Sequence, residues 1–450
     1  MDVQKAPSAD RAEEPPSPGP PGDSKITEQP IYKVYNILLW CLALALPCGL
    51  YFYFVRSQPG VALSDFHIFY QAAQAVRDGK DPFQPALAAL HVIQQNPTAA
   101  TGGYFLYPIP FLLLFMPLTF VPFNVAALIW TALSILSLVY TIKLLAQICQ
   151  AEKWPMIVPI LVICFSFMGI TRNELKLGQV DIIITFLITA NYYTYTKKHP
   201  IVSGIILSLA VIIKPYLGLL LLYYLWKRAY GVVASFVAAS LVFFGAAIVL
   251  VGWQENIEWI QVARLVASIP RVSQVAVVSL YSLLLRLFTV TLSAKPWVDL
   301  GVWPAYLGAM LLGVVVALVA LRAVKRSHRD PQTPALEFAL WLAGSLLVFP
   351  GLEDIHAMPA IIVLTIVLLS LPWKQVMQNI SLPVTFYALA VLLYFLNPFL
   401  PTWQWVGDAP LVTGWNILET GAYFLGLILL FCCTLQVLSM RRASLAMNTA

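Results

Sequence analysis

Long apolar runs recur along nearly the whole chain, separated by short polar breaks. A run of roughly 17–25 apolar residues suffices to cross a bilayer as a helix. The pattern therefore predicts an all-α polytopic membrane protein with about ten full transmembrane helices. The expected crossing spans are 35–55, 124–147, 156–171, 180–196, 229–252, 300–321, 335–350, 355–372, 381–397 and 412–438. Two apolar stretches read differently. Residues 104–120, YFLYPIPFLLLFMPLTF, are broken by Pro108, Pro110 and Pro117, which predicts a re-entrant or tilted segment. Residues 201–226 are interrupted by Lys214 and Pro215 and predict a short broken hairpin with Lys214 near its tip. Irregular backbone at membrane depth needs protein or a water-filled cavity around it.

Residues 64–83, SDFHIFYQAAQAVRDGKDPF, follow the first span directly and have helical periodicity. A helix begun at Asp65 puts Phe66, Phe69, Tyr70, Ala73 and Val76 on one face, with His67, Gln71, Gln74 and Asp78 largely on the other. Such a helix would lie on the bilayer surface. Residues 253–274 repeat the theme, with Trp259, Val262, Val266 and Ile269 at helical spacing and Arg264 and Arg271 available for anionic headgroups. That segment anchors a loop or guides a lipid acceptor.

Composition narrows the class further. The chain is 60% hydrophobic and 11% charged, with a mean hydropathy of +0.79, so no soluble catalytic domain is expected. Residues 1–30 are rich in Pro, Ser, Glu, Asp and Gly and predict a disordered cytoplasmic tail rather than a signal peptide. Residues 31–450 then form a single transmembrane domain with an extracytoplasmic loop at 56–104. The six cysteines all lie in or beside apolar runs, as buried small residues rather than a disulfide framework. A net charge of +6, clustered beside the spans, reports orientation and not nucleic-acid binding. With both termini cytoplasmic, four polar clusters (64–81, 172–181, 254–274 and 353–356) share the extracytoplasmic side of a multi-pass cell-membrane protein.

Those clusters hold the candidate chemistry. Asp65 suits a general base at the interface, where partial desolvation raises a carboxyl pKa; the competing reading makes it the cap of the following helix. Arg172, Asn173, Lys176 and Gln179 form a polar island whose cations suit a phosphate and whose amides suit sugar hydroxyls. A solvated connector balanced by Glu174 is the alternative. Asp181, just inside the next span, is costly unless paired. Lys214 either neutralises a lipid phosphate or snorkels to the interface. His356, with Glu353 and Asp354 nearby, binds a donor oxygen or relays protons, and is weak as a metal set. Neither a metal nor a cofactor is expected.

Together, DFHIFYQAAQAVRDGKDPF, YFLYPIPFLLLFMPL, RNELKLGQVD and GIILSLAVIIKP resemble in order and spacing the polyprenol-phosphate-mannose-dependent mannosyltransferases, glycosyltransferase family 87. The resemblance runs from about residue 65 to 230, with a weaker echo at 353–359. It implies a C-type glycosyltransferase fold and an inverting sugar transfer, mannose foremost, from a polyprenyl-phosphate donor to a lipid-linked or glycan acceptor of the cell envelope. The base would be Asp65, with lipid-phosphate binding near the polar island and Lys214 and a functional His at His356. Phe83 stands where the family has Tyr, Asp181 where it has Asn, and Tyr216 where a second proline is often found. A secondary transporter is the runner-up, since broken spans with Lys214 and Asp181 also fit alternating access. A non-catalytic scaffold is a third reading.

Overall fold

The computed structural model describes residues 30–95, 103–151, 153–268, 277, 279–290, 294–325, 332–353, 355–371, 382–396, 412–413 and 422–447. Residues 1–29, Ile269, Arg271, Asp354 and residues 414–421 of the last expected span lie outside them. The described chain is helical apart from one two-residue parallel pairing, Ala294–Lys295 with Val412–Thr413, and an isolated bridge between Val277 and Glu353.

Among the described residues, five helices are long and apolar enough to cross a membrane: Pro30–Ser57, Phe123–Ile148, Tyr230–Leu250, Trp303–Ala323 and Ala422–Met447. Ile157–Ser166 and Gly169–Leu177, bent by 72° at their junction, make a sixth if counted together. The sequence reading of ten spans exceeds this because apolar runs were counted whatever their helical length. Asp181–Thr196 and Gln332–Val348 have 16 and 17 residues, and Ile355–Ser370 and Leu382–Leu393 are shorter apolar helices. Protein surrounds several of these. Gln332–Val348 is buried over almost its whole length, so its apolar side chains pack against neighbouring helices.

The two doubtful stretches break where their prolines do. Residues 103–108 run without regular structure into the helix Ile109–Phe115 and a 3-10 turn, Met116–Phe120. Pro200–Ile213 ends at Lys214, whose extended backbone (φ −130°, ψ 98°) separates it from Pro215–Gly218 and Leu219–Trp226. Both arms pack against Tyr230–Leu250, and Pro200–Ile213 also packs on Asp181–Thr196. The approach is close at Gly204, where a Cβ would fall 2.4 Å from the Val232 carbonyl oxygen.

The helix after the first span, Ser64–Arg77, carries the expected stripe. Phe66, Phe69 and Ala73 are buried, Tyr70 and Val76 half-buried, and His67, Gln71 and Asp78 exposed. Protein covers that stripe. Phe69 meets Phe105, Tyr107, Phe111 and Phe115 edge-on, and Phe66 meets Phe115, Phe123 and Trp130. Such ring pairs add about 0.5–1.5 kcal/mol each beyond their buried area. Aromatic packing on the 103–120 segment thus replaces the bare bilayer contact that the sequence predicted.

The cysteines divide differently from expectation. All six are free, but only Cys149 and Cys433 are buried; Cys41, Cys48 and Cys164 are exposed and Cys432 is intermediate. Apolar runs place a cysteine on either face of a helix, so membership in a run does not imply protein burial.

Candidate active site

Asp65 lies in the first turn of Ser64–Arg77, after Leu63, which takes left-handed backbone (φ 62°) with no side-chain cap. The Leu63 N–H donates to the Lys176 carbonyl at 2.7 Å, pinning the helix start to the polar island. The capping reading of Asp65 is therefore set aside: its carboxylate turns away from the helix end. Asp65 Oδ2 accepts the Gln179 side-chain N–H at 2.6 Å, and the Ser64 hydroxyl lies 3.5 Å from Oδ1. Burial raises the Asp65 pKa above the usual carboxyl value, and the nearby Asp181 charge pushes the same way. The Gln179 hydrogen bond and the Lys214 ammonium oppose them. Asp65 is thus a poised carboxyl held by an amide 114 residues away in sequence.

Gln179 is held in turn. Its Oε1 accepts the Tyr107 hydroxyl at 3.2 Å and the Val180 N–H at 3.3 Å. The preceding residue, Gly178, closes Gly169–Leu177 in left-handed backbone (φ 68°), and its carbonyl accepts the Trp130 indole N–H at 2.9 Å. The Tyr107 ring lies 5.6 Å from Lys214 Nζ. Tyr107 therefore stands between the Asp65–Gln179 pair and the second half of the site.

That half is ionic and buried. Lys214 Nζ meets Asp181 Oδ2 at 2.8 Å, with side chains 6% and 0% exposed. The snorkelling reading of Lys214 is overturned, because its ammonium points into protein and not to an interface. Asp181 has the partner its position demands. Glu174 is no solvated counter-charge either: it is buried, and Oε2 accepts the N–H groups of Asp181 and Ile182 at 2.9 and 3.3 Å. It caps Asp181–Thr196 from the previous helix, satisfying N–H groups that a helix start leaves open.

Tyr216 closes the arrangement, stacking on Phe349 at 4.5 Å and donating its hydroxyl to the His356 carbonyl at 3.2 Å. His356 Nε2 lies 4.0 Å from Glu353 Oε2. Asp65, Gln179, Lys214 and His356 thus converge through Tyr107 and Tyr216. Arg172, Asn173 and Lys176 sit half-buried on the adjoining Gly169–Leu177 helix. Arg172 Nε is buried with no protein partner, and its guanidinium lies 6.0 Å from the Phe54 ring. Arg264 is not brought in; it is exposed on Trp253–Ser268, a helix tied to the 103–108 stretch by the Trp259 indole N–H on the Leu106 carbonyl at 3.2 Å. Among the described residues, no group of three or more His, Cys, Asp or Glu is placed to hold a metal.

Tyr107 is not singled out by the sequence, and Glu174 and Tyr216 are noted there only as a balancing charge and as a departure from the family pattern. Glu174 had a legible signal, an acid seven residues before the first acid of an apolar helix. Tyr107 has no signal beyond its neighbouring proline, and the place of Tyr216 beside His356 is set by a contact 140 residues away in sequence.

The fold and site define a multi-pass helical membrane protein with a partly buried carboxyl beside a buried ion pair. The chain belongs to glycosyltransferase family 87, whose model matches residues 105–350. It is therefore a membrane glycosyltransferase. No curated protein matches it.

Proposed function

We propose that this glycosyltransferase moves a sugar, mannose foremost, from a polyprenyl-phosphate donor to a hydroxyl of a lipid-linked or glycan acceptor, with inversion and with Asp65 as general base. The observation that carries the reading is the Asp65 carboxyl, raised in pKa by burial and oriented by Gln179, beside Tyr107 and the Lys214–Asp181 pair. The acceptor O–H gives its proton to Asp65 as its oxygen bonds to the anomeric carbon. The bond from that carbon to the phosphate oxygen breaks, and its electron pair leaves with the polyprenyl phosphate. Asp65 then returns its proton to water.

Arg172 and Lys176, one helical turn apart and half-buried, are the better placed cations for the donor phosphate, since Lys214 is already engaged by Asp181. Lys214 then sets the field behind the phosphate, and Asn173 and His356 contact sugar oxygens. Family membership favours group transfer over the transport reading. The C-type fold and an extracytoplasmic site, with both termini in the cytoplasm, belong to the same proposal. The test is incubation of the purified protein with a series of polyprenyl-phosphate sugars and an acceptor lipid, measuring released polyprenyl phosphate. Release with mannosyl donor alone supports the full reading, and absence of release with every sugar overturns it.

A further inference from the structure

A second ionic assembly lies away from Asp65. Glu337, fully buried, accepts Lys227 Nζ at 2.6 Å, an Arg442 guanidinium N–H at 2.5 Å and the Lys325 backbone N–H at 2.9 Å. It ties the end of Leu219–Trp226 and the start of Gln332–Val348 to Ala422–Met447. Glu337 stands about 18 Å along its helix from Phe349, which stacks on Tyr216, so the assembly is separate from the candidate active site.

Beside it, between Trp303–Ala323 and Ala422–Met447, opens a groove of ≈ 370 Å³. Its walls are Val319, Leu435 and Leu438, with Arg322, Arg442 and Ser439 at the polar end. Two arginines and a hydroxyl thus line it; Glu337 already meets Arg442 from behind the lining, so Arg322 is the exposed cation. Arg322 is exposed, while Arg442 Nη2 donates to Glu337 and to the Ala323 carbonyl and Arg442 Nε is buried without a protein partner. Both wall helices are of membrane-crossing length, with Arg322 in the last turn of Trp303–Ala323 and Arg442 in the C-terminal part of Ala422–Met447. Along Trp303–Ala323, Leu307, Met310, Leu311, Val314 and Leu318 are exposed, a ready track for an acyl chain leading to the groove.

We propose that this groove holds the phosphate of an anionic membrane phospholipid, with Arg322 and Arg442 as donors and an acyl chain along Trp303–Ala323. A guanidinium fork suits phosphate oxygens, and basic pockets between transmembrane helices hold anionic headgroups. The apolar walls select a lipid over a free anion. The site is independent of sugar transfer and does not rest on the mechanism above.

The test uses the full-length protein, delipidated in detergent and presented with phosphatidylglycerol or phosphatidylcholine of identical acyl chains, with bound lipid counted by native mass spectrometry. Phosphatidylglycerol is expected to be retained in preference, and Arg322→Gln to weaken that retention roughly fivefold, the effect of one arginine near a headgroup. Ser439→Trp, which fills the groove from an exposed position, is expected to remove the preference without touching the Glu337 assembly. Equal retention of the two lipids overturns the proposal, as does a preference that survives both variants. Displacement by inorganic phosphate as readily as by phosphatidylglycerol overturns the assignment to a lipid.

Discussion

At the residue scale, the proposed mechanism turns on Asp65. Asp65→Asn keeps the shape of the side chain but cannot take a proton, so transfer is expected to fall about 10²- to 10⁴-fold with the protein still folded. Turnover near wild type, at matched folded protein, would remove Asp65 from the mechanism. The pH profile carries the sign of the environment. With Asp65 as the proposed base, activity requires its ionised form, so the acid limb of the rate should lie above an ordinary carboxyl value because burial raises the pKa. Gln179 opposes that rise by donating to the carboxylate. Gln179→Leu should therefore move the limb to still higher pH, a change that a merely structural role for Gln179 would not produce. The sequence made Asp65 and Gln179 visible separately, as an isolated acid and an amide in a polar island. Their hydrogen bond was not legible, because two alternatives for Asp65, cap and base, predict the same local helix and differ only in a contact 114 residues away.

At the scale of elements, the Lys214–Asp181 pair joins the helix Asp181–Thr196 to the break after Pro200–Ile213. Removing one partner of a buried pair leaves an uncompensated charge, at a typical cost of about 3–5 kcal/mol. Lys214→Met is expected to destabilise the protein by that order, and Lys214→Met combined with Asp181→Leu to recover most of the loss, read from thermal unfolding in detergent. Recovery of stability without recovery of transfer assigns the pair a part in catalysis; recovery of both makes it a structural tie alone. The break itself was legible in Lys214-Pro215, as was the irregular 103–120 segment in its three prolines. The pairing of Lys214 was not: a lone lysine in an apolar run is equally consistent with snorkelling, and the carboxylate it meets sits 33 residues back in another helix. Helix lengths misled for a related reason. Gln332–Val348 reads as a membrane span by hydropathy, although its apolar side chains answer to neighbouring helices.

For the whole molecule, the proposed orientation follows from charge. The basic groups at 322–329 and 441–442 lead us to propose, by charge bias, a cytoplasmic Glu337 end of the bundle. A cysteine at Gln71, exposed on the helix bearing Asp65, should react with an impermeant thiol reagent from outside intact cells, and one at Ser439 should not. Labelling of Ser439→Cys alone would turn the protein over and move the donor to the other leaflet. Because Cys41, Cys48 and Cys164 are exposed, the measurement needs a background in which they are replaced.

One small feature sets a tolerance on the whole catalytic assembly. At Gly178 a Cβ would lie 2.6 Å from the Phe66 Cβ and 3.2 Å from Leu63 Cδ2, so the absence of a side chain fixes how near the Asp65 helix can settle to the segment bearing Gln179. Gly178 acts as a spacer of zero thickness, and one methyl group is the smallest shim that can be inserted. Gly178→Ala should push the carboxylate and the amide apart while changing no charge and deleting no functional group, in addition to straining a left-handed position. Transfer should fall and its acid limb should rise as in Gln179→Leu, so that two unlike substitutions on adjacent residues converge on one pH profile.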